Sequence, residues 1–243
     1  MKAYTENFYK SRHKKTHHAA ETVLTSVLEL MPNIKTAVDV GCGVGTWLSV
    51  LKKKGVVDIQ GIDGNWLNKR SLEIPPECFI EHDLSKKLEI TKRFDLAISL
   101  EVAEHLPKER ASSFVTSLTR LSDFVLFSAA IPYQTGKNHI NEQWPEYWAD
   151  LFAERGYIVL DFIRNQIWDD EEIPTWYRQN ILFFVKEEKI SLLNQPTHIT
   201  LSSPLSIVHP DAYLTKVSTV KGSWKLFREA IKKSIKKRVR GKS

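Results

Sequence analysis

Residues 36–55, TAVDVGCGVGTWLSVLKKKG, constrain the fold of this chain more than any other stretch. Thr36-Ala-Val-Asp-Val40 is a short apolar run with β-branched residues, and a glycine cluster and then a helical pattern come directly after it. The segment therefore reads as strand, tight turn, helix. Gly41, Gly43 and Gly45 are spaced G-x-G-x-G. That spacing lets the backbone take positive φ and lets a ligand lie against a peptide plane where a Cβ would intrude, as in a nucleotide-binding turn. The dinucleotide fingerprint G-x-G-x-x-G would place its third glycine where Thr46 stands.

Downstream of the turn the same logic continues. Asp63 closes a second apolar segment, 59–62, where an open parallel sheet places a carboxylate to accept ribose hydroxyls. A third segment, 79–82, ends at Asp83. Further strands are expected at 94–100 and 124–129, with helices at 46–55 and 108–121 between them, the latter facing a core through Phe114, Val115, Leu118 and Leu121. Strands separated by helices of this length predict a parallel, doubly wound sheet. A helix at 146–155, capped by Gly156, precedes two final strands at 157–163 and 180–185. At the other end, residues 4–30 carry helical spacing, with Val23, Leu24, Val27, Leu28 and Leu30 on one face before Pro32. His13, His17 and His18 fall on its polar side; His13 and His17 are one turn apart, but no ligand carboxylate is near in sequence, so they read as a solvated face.

With 243 residues and 42% hydrophobic content, one domain with appendages is the expectation. No apolar run approaches the ~20 residues of a spanning helix, and MKAYTENFYKSRHKK lacks the apolar stretch of a secretion signal, so the expected location is the cytoplasm, with peripheral membrane attachment at most. Two cysteines, Cys42 and Cys78, are too few for a disulfide framework or a structural zinc site. The net charge of +6 is a property of the tail: residues 221–243 hold ten Lys or Arg against one Glu, a net of +9, and the other 220 residues carry −3. Trp224, Phe227, Ile231, Ile235 and Val239 recur there every three or four residues opposite the basic side chains, the pattern of a helix lying on an anionic membrane surface.

Asp39 with GCGVG, Asp63, Asp83 and FDLAISLEVAEHLP together resemble the class I S-adenosylmethionine-dependent methyltransferases. The resemblance implies a Rossmann-like, doubly wound, seven-stranded α/β sheet, mostly parallel with an antiparallel terminal hairpin, helices on both faces and an N-terminal helix over the donor site. It implies S-adenosylmethionine as donor, with S-adenosylhomocysteine as product, held by Asp39, Gly41, Gly43, Gly45, Asp63, Asp83, Leu84 and Glu101. Within that family the turn contacts the donor's amino acid part, the second-strand acid the ribose and the third-strand acid the adenine amino group. The stretches FSAAIPYQTGKNHINEQWPEYWADLF and WYRQNILFFV look like a subgroup associated with glycosyltransferases and surface-glycan biosynthesis. The expected parts are a cap region at 1–33, the methyltransferase core at 34–188, an extension at 189–220 and the basic tail at 221–243.

In open α/β sheets the ligand lies beyond the carboxyl ends of the strands. Two clusters stand there: Glu101-Val-Ala-Glu104-His105, and the loop GKNHINEQW at 136–144. Methyl transfer to an alcohol needs alignment and a proton acceptor, and a neutral imidazole suits the second need. His139 is the first choice of base and His105 the second, with Glu101 beside them; Glu104, Asn141, Gln143, Trp144 and Trp168 are the candidates for acceptor contact. Trp176 is a further candidate for that cleft, whereas Trp148 and Phe152 are expected to pack on the sheet. The expected reaction is O-methylation of a sugar or glycan, and a membrane-bound tail would suit a lipid-linked one. Glu101, Glu104, His105 and His139 could instead converge on a divalent ion, Mg²⁺ or Mn²⁺ rather than zinc, although the favoured reading takes no metal. E-x-x-E-H with a later His resembles the metal site of small-RNA 2′-O-methyltransferases, which makes metal-dependent RNA methylation the alternative; a mildly acidic body places nucleic acid second. A non-catalytic scaffold in glycan assembly is the remaining alternative.

Overall fold

A computed structural model of the chain describes residues 6–65, 69–194 and 205–240. Its centre is one seven-stranded sheet of order β3-β2-β1-β4-β5-β7-β6. The strands are β1 (Thr36–Val40), β2 (Asp58–Asp63), β3 (Phe79–Glu81), β4 (Leu96–Leu100), β5 (Phe124–Ser128), β6 (Tyr157–Leu160) and β7 (Leu182–Lys186). The first five are parallel, with Asp39 opposite Gly61 and Ile98, and β7 pairs antiparallel with both β5 and β6. Every residue of β4 and of β5 is buried, which is what a strand covered on both faces requires.

Successive side chains along a strand point to opposite faces, and the core divides accordingly. Ala37, Leu96, Ile98, Leu126 and Phe183 join one cluster with α1 (Glu6–Leu30), α2 (Thr46–Lys53) and α5 (Ile163–Ile167). Val38, Ala97, Val125, Phe127 and Phe184 join the other with α3 (Ala111–Leu121) and α4 (Pro145–Ala153). Trp148 and Phe152 of α4 do pack on the sheet, with the Phe152 ring stacked 3.9 Å from Phe184 and Trp148 5.4 Å from Phe127. Ala19, Ala20, Val23, Leu24 and Val27 are fully buried and anchor the second half of α1.

Two differences from the sequence reading have local causes. The sixth strand stops at Leu160, because Asp161 turns to pair with the buried Arg164 at the start of α5; Arg164 also donates to the carbonyls of Leu205 (2.8 Å) and Gln179 (3.2 Å). Asn180 ends a short helix, α6 (Thr175–Asn180), rather than opening the seventh strand, and that helix carries Tyr177 and Asn180 toward the site. The last two strands are therefore antiparallel neighbours joined through two helices, with β6 at the sheet edge.

The chain divides into two compact units between residues 206 and 207. The second contains α7 (Pro210–Val217), whose N–H at Asp211 is accepted by His209, and α8 (Val220–Arg240), the two packed on each other. On α8, Trp224, Phe227, Ile231 and Ile235 are exposed; the side chain of Val239 lies outside the described residues. Among the described residues no helix is long and apolar enough to cross a membrane.

Candidate active site

Strand order reverses between β1 and β4, and ligands of open α/β sheets occupy the crevice opened by such a reversal. The glycine turn after β1 lies there. Gly41 donates to the Ile62 carbonyl at 2.7 Å with φ of 90°, and a Cβ on it would fall 2.2 Å from Val102 just beyond β4, so only glycine closes the turn against that strand. Gly43 also has positive φ, 53°, but a Cβ on it would meet nothing within 4 Å. Its open side is where a ligand can approach the backbone. A cavity of about 710 Å³ stands over the turn, walled by Asp39, Gly41, Thr46, Glu73, Leu100 and Tyr177. This is within the ~300–1,000 Å³ of small-molecule sites.

Three of the groups that line this cavity, Asp39, Cys42 and Tyr177, are kept uncharged. Burial, then the Asp63 charge, holds Asp39 well above the ordinary carboxylate range. Burial followed by the charges of Asp39 and Asp63 pushes the Cys42 thiol up, so it stays protonated. Tyr177, edge-on to Trp47 at 5.4 Å, is moved up to about 12 by burial and then by Glu101. A mainly apolar pocket with open backbone suits a compact cationic ligand such as a sulfonium, and the residues present fit S-adenosylmethionine. Asp63 is itself buried, and burial raises it above its usual range. Its two oxygens take the N–H groups of Gly43 and Gly64, each at 2.7 Å, which fastens the turn to the end of β2. Asp83 is exposed and accepts from Ser85 N–H (3.0 Å) and hydroxyl (2.6 Å), while Leu84 is buried in the core. Neither acid is among the cavity's described walls.

The second cluster forms beyond β4 and β5. Ile140 and Asn141 donate their N–H groups to the Glu104 carbonyl at 2.9 and 3.0 Å, so the loop after β5 is stitched to the turn after β4. This stitching brings His139 to His105, with ring centroids 4.9 Å apart, and puts His139 Nε2 3.9 Å from Glu104. Gly136 leaves room for the imidazole: a Cβ there would lie 1.9 Å from His139 Nε2. His139 Nδ1–H donates to Glu142 at 3.0 Å, and Glu142 also accepts from Tyr133 N–H (2.8 Å) and Thr135 N–H (2.6 Å). Burial opposes ionisation of Glu142, but those bonds outweigh it and hold the carboxyl below its ordinary range. The result is a base with its tautomer fixed: Nδ1 is protonated and the Nε2 lone pair is free.

His105 is set in the same sense, since Nδ1–H donates to the Asn138 carbonyl at 3.3 Å; shielding by its neighbours lowers its pKa and keeps the ring neutral. Glu104 is fully buried, and neither of its oxygens has a hydrogen-bond partner among the described residues. Burial and then the Glu101 charge push its carboxyl up to about 9; the nearby N–H groups of Glu104 and Ala130 ease this without completing a bond. Glu101 itself sits at φ 56°, an uncommon conformation for a non-glycine residue and one that concentrates at functional sites. Its oxygens take the Asn180 amide (3.0 Å) and the Gln134 amide (2.9 Å).

Glu101, Glu104, His105 and His139 are thus brought to one place, and the histidines and Glu104 offer ligand atoms within 4.8 Å of one another. Asn141 is buried and accepts the Gln143 amide at 2.8 Å; Trp144 is 42% exposed at the start of α4. Trp176 packs against the core cluster and lies edge-on to Tyr177, 5.9 Å away, and the Trp168 carbonyl takes Arg178. Three roles escaped the sequence reading: Glu142 as the partner of His139, and Gln134 and Asn180 as the amides that hold Glu101. A carboxylate three residues after a histidine was the available signal for the first. His13 is exposed and His17 half-buried, as a solvated face implies, but a carboxylate far away in sequence joins them: Glu73 meets both of their Nε2 atoms, at 2.5 and 3.1 Å.

Comparison with known proteins agrees with this geometry. A family model described as a methyltransferase domain matches residues 13–161, more than half of the chain. No curated protein matches. Among solved structures, magnesium protoporphyrin IX methyltransferase (ChlM) from Synechocystis PCC 6803 with bound SAH is 16% identical, with 76% of this chain and 90% of that one covered and a TM-score of 0.52. SAM-bound CalS10, an amino pentose methyltransferase from Micromonospora echinaspora, is 12% identical, with 76% and 99% covered and a TM-score of 0.53. DesVI of Streptomyces venezuelae is 20% identical at a TM-score of 0.44, over 54% of this chain and 58% of that one, so the chain spans little more than half of DesVI. The chain belongs to the methyltransferase-domain family, and its fold is that of S-adenosylmethionine-dependent methyltransferases.

Proposed function

We propose that this protein is an S-adenosylmethionine-dependent O-methyltransferase whose acceptor is a hydroxyl of a sugar or glycan. The observation that carries the reading is the His139–Glu142 pair, a part-buried, tautomer-fixed base beyond β5, beside the crevice that holds the glycine turn. Gly41 and Gly43, which line the cavity, would hold the donor's amino acid part against the backbone, with Gly45 completing the turn against Ile74 and with Thr46, Leu100 and Tyr177 as walls. When bound, the donor supplies a methyl group made electrophilic by its sulfonium. His139 Nε2 accepts the acceptor's proton as the new bond forms, and the Glu142 carboxylate stabilises the resulting imidazolium. Asn180 and Gln134 hold Glu101 at the floor between the two regions. Exposed Trp144 offers a sugar a flat stacking surface, and CalS10 of the same fold is an amino pentose methyltransferase.

A second reading, metal-dependent methylation of an RNA ribose 2′-hydroxyl, is favoured by one observation: the buried Glu104 carboxylate is unpartnered among the described residues and faces His105 and His139. A divalent ion on these three would satisfy it, and Glu101 is beside them. One experiment separates the two: incorporation of labelled methyl into glycan fractions and into RNA, with EDTA and with added Mn²⁺. Label in glycan that persists with EDTA is the expected result. Label only in RNA and only with Mn²⁺ replaces the first reading by the second.

The acceptor proposed is lipid-linked, and α8 is its membrane contact. Trp224, Phe227, Ile231 and Ile235 recur on one face of a helix whose sequence is otherwise rich in Lys and Arg, and all four are exposed. The intact protein is expected to co-sediment with vesicles containing phosphatidylserine, and deletion of 221–243 to abolish it; undiminished binding removes the contact.

A further inference from the structure

We propose that His13, His17 and Glu73 form a binding site for a divalent transition-metal ion of the zinc class, which fastens the first half of α1 across the mouth of the cavity. The site lies apart from the Glu104 cluster and draws on none of its residues. His13 and His17 are one helical turn apart, so their rings stand on one face, 5.4 Å between centroids. Glu73 reaches them from the segment after β2 with one oxygen each: Oε1 is 2.5 Å from His13 Nε2 and Oε2 is 3.1 Å from His17 Nε2. All the ligand atoms lie within 4.8 Å of one another.

Two imidazoles and a carboxylate are a ligand set that zinc accepts with a fourth position left open. Tetrahedral bonds of ~2.0–2.1 Å put ligand atoms roughly 3.3 Å apart, so the His13–Glu73 pair at 2.5 Å has to open by about 1 Å and no pair, all within 4.8 Å, has more than about 1.5 Å to close. The carboxylate is already oriented, because Thr46 Oγ1 donates to Glu73 Oε1 at 2.7 Å and Glu73 N–H donates to the Val44 carbonyl at 2.8 Å. Such outer hydrogen bonds fix a ligand before the ion arrives.

The position gives the site a consequence. His13, Thr16, Thr46 and Glu73 all line the cavity. The second half of α1 is held by apolar burial, whereas the turn bearing His13 and His17 is held to the rest by polar contacts: these two, Lys15 on the Glu171 carbonyl (2.8 Å) and His18 on Asp170 (2.8 Å). An ion bridging α1 to Glu73, and through Thr46 to the glycine turn, closes one wall. Resting on the donor reading above, occupancy by the ion tightens donor binding.

Cobalt(II) is the probe, since its visible absorption rises strongly when it leaves six-coordinate water for a four- or five-coordinate protein site. The full-length His139→Ala protein, in which the other cluster is broken, is titrated with Co²⁺ without donor, its folding checked by thermal melting. The expected result is a visible band saturating at one equivalent, bleached by Zn²⁺ and absent once His17→Ala is added; His17 and His139 are both only part-buried, so both replacements leave the fold intact. A spectrum that stays that of the hydrated ion, or a band that survives His17→Ala, overturns the site. Because no donor is present, this outcome is independent of whether the cavity binds S-adenosylmethionine.

Discussion

His139→Ala lowers turnover by about 10²–10⁴-fold, the usual range for a positioned general base, and leaves donor affinity nearly unchanged. The split arises from where the residue stands. His139 lies in the loop after β5, stitched to the turn after β4 through the Glu104 carbonyl, and is not a wall of the cavity over the glycine turn. Its Nδ1–H is committed to Glu142, so Nε2 is the only ring atom left to take a proton. Removing the imidazole leaves Glu142 with two backbone N–H partners, which keeps the loop in place. Single-turnover rates and donor binding measured on the same preparation check the prediction. Retained turnover rejects His139 as the base, and a parallel loss of donor affinity means that the loop has collapsed.

Asp63→Ala abolishes measurable donor binding and lowers stability. The two Asp63 oxygens are the acceptors for Gly43 and Gly64 N–H, and a buried donor left without its partner costs about 1–3 kcal/mol. One effect runs the other way: Asp63 adds to the upward pressure on Asp39 and on the Cys42 thiol, and its removal relieves both. That relief is the smaller effect, because burial leads the causes at Asp39 and Cys42 alike. The turn, freed from the end of β2, no longer presents the open side of Gly43, and any contact from Asp63 to a ribose is lost with it. Donor calorimetry and a thermal melt read the two losses separately. Unchanged affinity contradicts the anchoring role.

The features legible in the sequence were those written in neighbouring residues. Glycine spacing after a β-branched run gave the turn after β1, and Phe114, Val115, Leu118 and Leu121 gave α3, because turn chemistry and helical period are local. E-V-A-E-H was also local, and His139 could be joined to it only because both come after strands whose carboxyl ends share one side of a parallel sheet. The features that were not legible depend on contacts between distant segments. Glu73 lies 56 residues from His17 and meets it only after α1 has folded back over the turn. The ion pair of Asp161 with Arg164 stops β6 early, and its energetic weight comes from a burial that Gln179 and Leu205 complete from further along the chain. Tyr177 and Asn180 belong to a short helix just before the seventh strand, which the sequence reading touched only by starting that strand at Asn180; six residues make fewer than two helical turns, too few for a period to show.

The most direct test of the central claim is calorimetric titration of the full-length protein with S-adenosylhomocysteine. Binding at a single site, with heat that vanishes in Asp63→Ala, is the predicted result. No heat from the folded wild-type protein would contradict the assignment of the glycine-walled cavity as the donor site.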